Sequence, residues 1–119
     1  VALFSNLPVY KLGYDVLLEI YNRTKSFPRE FKFTIGEKMK EESLNMLINV
    51  YKANKSRDKT RTKYIEIARR NVEVLRLLLR VAKDLMILGI KGFVFLNTKI
   101  EELSKQLTAW QKYMTRAGN

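Results

Sequence analysis

Five carboxylates, Glu37, Glu41, Glu42, Glu101 and Glu102, come nearest in type and spacing to metal or acid–base chemistry. Facing inward from the helices of a bundle, carboxylates can hold a pair of metal ions. Such sites combine each Glu with a Glu-x-x-His step, and the chain has no histidine. That absence also removes the commonest general base and the usual triad partner. With no cysteine, a thiolate zinc site, a cysteine nucleophile and a disulfide scaffold are excluded. There is no glycine-rich phosphate loop, and no spacing of serine and lysine singles out a nucleophile with its base. The carboxylates are therefore expected on solvated helix faces beside Lys38 and Lys40. No catalytic residue, metal or cofactor is expected, and the chain is read as not an enzyme.

The basic residues carry more information. The chain has 23 Lys and Arg against 12 Asp and Glu, a formal charge of +11, which favours a polyanionic partner. The excess concentrates in two places. One is residues 52–63, with Lys52, Lys55, Arg57, Lys59, Arg61 and Lys63 against the single acid Asp58. The other is the polar face of the third helical segment, where Arg69, Arg76, Arg80 and Lys83 form one stripe with Arg70 beside it. Arginine suits phosphate because its planar fork binds two oxygens at once. The two sets are expected to bind nucleic acid or an acidic partner; the competing reading is a solvated, partly ion-paired face. Tyr51 and Tyr64 flank the first set. They could stack on bases, but their helical spacing places them in the core or at its boundary. No zinc finger, RNA-recognition signature or helix-turn-helix spacing is present, so binding would rest on phosphates and shape and depend steeply on salt.

Four amphipathic segments must position these residues. In the first, about residues 9–25, Tyr10, Tyr14, Leu17 and Tyr21 share a helix face, and Gly13 implies a closely packed neighbour. Pro28 separates it from the second, about residues 29–54, which carries Ile35, Met39, Met46 and Val50, with Glu42 as a polar interruption. Residues 52–63 read as a loop leading into a helix capped by Ser56 or Thr60. In the third, about residues 62–88, Ala68, Val72, Leu75, Leu79, Ala82 and Met86 form one stripe and Ile67, Val74, Val81 and Leu88 a second. A helix this apolar is expected to be buried on two sides, one intramolecular and one between subunits, with Gly89 as the left-handed residue past its end. The fourth, about residues 90–114, has a seam of Leu96, Ile100, Leu103, Leu107, Trp110 and Met114, and residues 115–119 are expected to fray. With no strand pair in sight, the fold class is all-α, an antiparallel four-helix bundle.

A length of 119 residues points to one domain spanning 1–119. No apolar run is long enough to cross a bilayer, and residues 1–10 carry no leader pattern, so a cytoplasmic protein without membrane contact is expected.

The order of these features resembles the Avd (accessory variability determinant) family of diversity-generating retroelements. The resemblance rests on Phe27-Pro28-Arg29-Glu30-Phe31-Lys32-Phe33-Thr34-Ile35-Gly36, on the run Leu75-Arg76-Leu77-Leu78-Leu79-Arg80-Val81-Ala82-Lys83-Asp84-Leu85, and on the closing step from Leu107 to Trp110. It implies a non-catalytic four-helix bundle, encoded by a bacterium, archaeon or phage, that assembles as a basic homopentameric barrel. It also implies association with the element's reverse transcriptase and template-repeat RNA in support of mutagenic cDNA synthesis and retrohoming. A related family, the four-helix proteins encoded in intervening sequences of large-subunit ribosomal RNA, shares the Phe-Pro element. It typically continues with an Asn-Ile-Ala-Glu-Gly-like step, where this chain has Asn49-Val50-Tyr51-Lys52-Ala53-Asn54. A protein-interaction or structural scaffold of that type is the alternative function.

Overall fold

The computed structural model describes residues 7–116. The first part of the expected leader-free stretch, residues 1–6, and residues 117–119 of the expected frayed tail lie outside them; Thr115 and Arg116 close the last helix. The elements are α1 (Pro8–Thr24), a three-residue α2 (Arg29–Phe31), a π-helical turn (Lys32–Gly36), α3 (Glu37–Lys55), α4 (Asp58–Asp84) and α5 (Ile90–Arg116). From α2 to α3 the chain runs on as one rod, so the described residues build four rods and no strand. Neighbours in sequence are neighbours in space: α3 lies on α4, α4 on α5, and α1 closes the ring between α3 and α5. The molecule is elongated, 48 × 21 × 19 Å.

Each rod turns one apolar line inward. On α1 that line is Val9, Gly13, Val16, Ile20 and Thr24. The tyrosines lie beside it rather than on it, with Tyr14 and Tyr21 exposed. Thr24 is tolerated in the core because its hydroxyl donates to the Ile20 carbonyl at 2.9 Å. Gly13 lets α1 approach α3 closely: a Cβ there would stand 3.1 Å from Met46 Sδ and 3.3 Å from Leu47 Cδ1. Pro28 starts the second rod, where its missing N–H costs nothing. The widened turn then passes Gly36 beneath the buried Phe27 ring.

Glu42 faces inward on the α3 stripe, as its position suggested, and it is paired there. Asn71 of α4 donates to it at 3.0 Å, Lys38 lies 3.4 Å away, and Asn49 donates to Asn71 at 3.1 Å. A buried carboxylate is tolerated when hydrogen-bonded and charge-paired, so the apparent flaw becomes a polar tie between two rods. The α4 line Ile65, Ala68, Val72, Leu75, Leu79 and Ala82 is fully buried. Of the second stripe, Leu88 is buried and Ile67, Val74 and Val81 are half-buried. Trp110, expected in the core, is half-buried against it.

Two boundaries differ from expectation. Residues 52–63 are not a loop. Lys52 to Lys55 end α3, Ser56 and Arg57 alone link it, and α4 begins at Asp58, capped by neither Ser56 nor Thr60. Lysine and arginine are good helix formers, so a basic run need not break a helix. Asp58 makes the abrupt reversal with φ 54, a left-handed conformation that Asp tolerates. At its other end α4 stops at Asp84, not Leu88. Met86, rather than Gly89, takes the left-handed position at φ 62. The N–H of Ile87 reaches the Ala82 carbonyl and that of Met86 the Lys83 carbonyl, the two bonds of a Schellman cap.

Candidate nucleic-acid interface

The fold divides the predicted basic residues into two groups. On the polar face of α4 most of the charge is already paired. Arg70 meets Glu66 at 3.5 Å, Arg76 meets Glu101 of α5 at 2.9 Å and Glu73 at 2.6 Å, and Arg80 meets Asp84 at 3.0 Å. Burial opposes the charge on Arg76, but its bonds to Glu101 and Glu73 outweigh this and leave its pKa raised. Lys83 lies 4.9 Å from the centre of the Phe93 ring.

The second group gathers where α3 ends, α4 begins and α5 ends. Arg61 fixes the junction through four contacts. Arg61 Nε donates to the carbonyls of Ala53 and Ser56, both at 3.0 Å, and its Nη2 donates to that of Asn54 at 3.2 Å. Its Nη1 reaches Met114 Sδ of α5. Lys52 lies over the half-buried Tyr64 ring, and Lys55 over Tyr51, which is exposed rather than core. Around this junction Arg57, Lys59 and Lys63 are exposed and make no ion pair among the described residues. Arg61 differs from them because its fork is occupied by the fold.

Residues of α5 that the linear pattern did not single out join the predicted Arg69 here. Arg69, Thr108, Gln111, Lys112, Thr115 and Arg116 line an open groove of about 480 Å³ between α4 and α5. Arg69 Nη1 donates to Gln111 Oε1. The sequence signal for Lys112 and Arg116 is the absence of any acid after Glu102. Residues 52–70 hold eight basic and two acidic side chains, and residues 103–116 hold three basic and none acidic. Twelve basic and ten acidic residues are left for the rest of the chain, so nearly all the net charge sits at one end of a 48 Å bundle. Part of it opposes helix stability: Arg57, Lys59 and Arg61 crowd the N-terminus of α4, where the helix dipole disfavours cations.

Elsewhere the bundle leaves two separate apolar faces uncovered. One joins α1 and α3 through Tyr14, Leu44, Ile48 and Tyr51. The other surrounds the α4–α5 connection, with Leu85, Met86, Ile90, Val94 and Phe95. Among the described residues no His, Cys, Asp or Glu side chains cluster as a metal site, and no helix is long and apolar enough to cross a membrane.

Among solved structures, the chain is similar to a protein of unknown function from the S23 ribosomal protein family of Bacteroides thetaiotaomicron. The TM-score is 0.81 over 87% of this chain and 95% of that one, at 16% identity, so the two share a helical-bundle fold. No curated protein matches the chain. The match that defines it runs through all four rods, from the first turn of α1 to the last turns of α5: over residues 9–114 it fits the bAvd-like family model, and it belongs to that family.

Proposed function

We propose that the protein is a non-catalytic accessory subunit of a diversity-generating retroelement. Its cationic end binds the template-repeat RNA together with the reverse transcriptase and so supports mutagenic cDNA synthesis and retrohoming. Membership of the bAvd-like family supports the accessory role. The observation that carries the binding role is the junction of α3, α4 and α5, where Arg57, Lys59 and Lys63 lack carboxylate partners among the described residues and the first two stand against a helix dipole. Charge retained at a cost to the helix serves a ligand better than it serves the fold.

The two apolar faces support self-association. Because they differ from each other, contact between them is head-to-tail, and head-to-tail contact closes a ring when the rotation allows. A homopentamer is the ring proposed here. A ring repeats the cationic end and multiplies its avidity for a long polyanion.

The test replaces Arg57, Lys59 and Lys63 by Glu and leaves Arg61 in place, since reversing that residue would uncap α3. Copurification with reverse transcriptase and template RNA should be lost while helicity and oligomer mass are unchanged. Survival of binding would refute the assignment of the cationic end. Sequencing the DNA around the gene tests the wider role. A reverse transcriptase gene and two near-identical repeats differing at template adenines are expected; a ribosomal RNA operon would favour the structural-scaffold alternative.

A further inference from the structure

We propose that the groove between α4 and α5 is a binding site for the phosphodiester backbone of a nucleic-acid strand, with Arg69 as its central contact. The inference rests on the nucleic-acid reading above and gives it an address. α4 has five arginines, and four are committed elsewhere: Arg61 to backbone carbonyls, Arg70 to Glu66, Arg76 to Glu73 and Glu101, Arg80 to Asp84. Among the described residues Arg69 is the one arginine of the five with neither a carboxylate nor a backbone carbonyl as partner. Glu66 and Glu73, the acids nearest to it along α4, belong to Arg70 and Arg76.

Its one partner among the described residues, Gln111 Oε1, is neutral and holds Nη1 in place, so the remaining edge of the fork keeps its full charge. That bond occupies the acceptor of the Gln111 amide and leaves its NH₂ to donate. Lys112 and Arg116 flank the pair one helical turn apart on α5. Thr108 adds a hydroxyl, whereas the Thr115 hydroxyl donates to the Gln111 carbonyl at 3.0 Å and steadies that turn. The lining contains donors and cations and no carboxylate. From residue 108 to 115 it spans roughly 10 Å of helix, a length that suits several backbone oxygens in a row rather than one small anion. The forked guanidinium binds a phosphate through two parallel bonds, which an ammonium cannot do.

The experiment measures fluorescence anisotropy of a labelled oligouridylate, with the matching oligodeoxythymidylate as a second arm, on the full chain across a salt series. Arg69→Lys keeps the charge and removes the fork; affinity should fall severalfold with the salt slope little changed. Lys112→Ala with Arg116→Ala should flatten the slope by about 0.7 per cation removed on a single strand. Lys91→Ala, on the other half of α5, should change neither. Equal losses on both oligonucleotides assign the site to the shared backbone, and a loss confined to the ribose strand assigns it to RNA. Far-ultraviolet circular dichroism checks the fold, and Lys112→Ala alone, at an exposed position, reads the slope if the double variant unfolds. The groove is refuted if its variants keep wild-type affinity and slope while reversal of Arg57, Lys59 and Lys63 abolishes binding. It is also refuted if polyglutamate competes as well as the oligonucleotides at equal charge. A wild-type chain that binds neither oligonucleotide refutes the nucleic-acid reading itself.

Discussion

The guanidinium of Arg61 donates to three carbonyls around the end of α3, at 3.0, 3.0 and 3.2 Å. Helix ends leave carbonyls without partners, and a bond from a charged donor contributes about 1.5–3 kcal/mol. Arg61→Ala should therefore lower stability by about 2 kcal/mol, read as a reduced urea midpoint with unchanged slope. Lys59→Ala, at an exposed position nearby, should stay within about 0.5 kcal/mol of wild type while weakening RNA binding. Two residues apart in sequence, the pair separates structure from ligand contact. Lys38 shows a third use of charge. The hydrogen bond with Glu42, and then the charge of Glu41, raise its pKa above the ordinary lysine value. The stabilisation from a raised amine pKa is fully present below the ordinary value and is lost only as pH climbs through the raised one, so Lys38 adds no pH dependence near neutrality.

Among the elements, the α4–α5 connection holds a local rule broken in plain view. Met86 sits at a left-handed cap position where glycine is usual, and its side chain is 88% exposed. Left-handed backbone costs a non-glycine residue about 1–2 kcal/mol, and an exposed side chain regains little of that within one protomer. Met86→Gly should raise the stability of the monomeric fold by about 1 kcal/mol, seen as a higher urea midpoint. If the side chain serves the apolar contact proposed above, the same variant weakens self-association in light scattering. The four segments were legible from periodicity, and so were the inward stripes of α4 and α5, where Leu75, Leu79, Leu96, Ile100, Leu103 and Leu107 are all fully buried; on α1 the spacing points to the tyrosine face in place of the buried line through Val16 and Ile20. The ends of the segments were not legible. Whether a basic run such as 52–63 is loop or helix depends on a two-residue reversal at Arg57 and Asp58 and on the Arg61 cap, which are tertiary facts.

Across the whole molecule the charge is polarised, and its origin fixes how binding responds to conditions. With no histidine in the chain, no side chain has an ordinary pKa between about pH 5 and 8. RNA affinity should therefore be flat from pH 6 to 8 and fall steeply with salt, by about 0.7 log unit per decade of salt for each cation engaged on a single strand. A titration in both variables checks this, and a marked pH dependence in that range would contradict it. The +11 total was countable from composition, and the basic run 52–63 was visible as a line of residues. The sequence alone determined the class of fold, the apolar faces of α4 and α5, the absence of histidine and cysteine and the family resemblance, because periodicity, composition and short motifs are properties of a linear string. Only the tertiary structure decided which cations are free. Pairing is made across helices, as between Arg76 and Glu101, and across turns, as between Arg61 and Ala53, and the groove joins Arg69 to residues about forty positions away. Free charge is what remains after such contacts form, so it is set by packing and not by spacing along the chain.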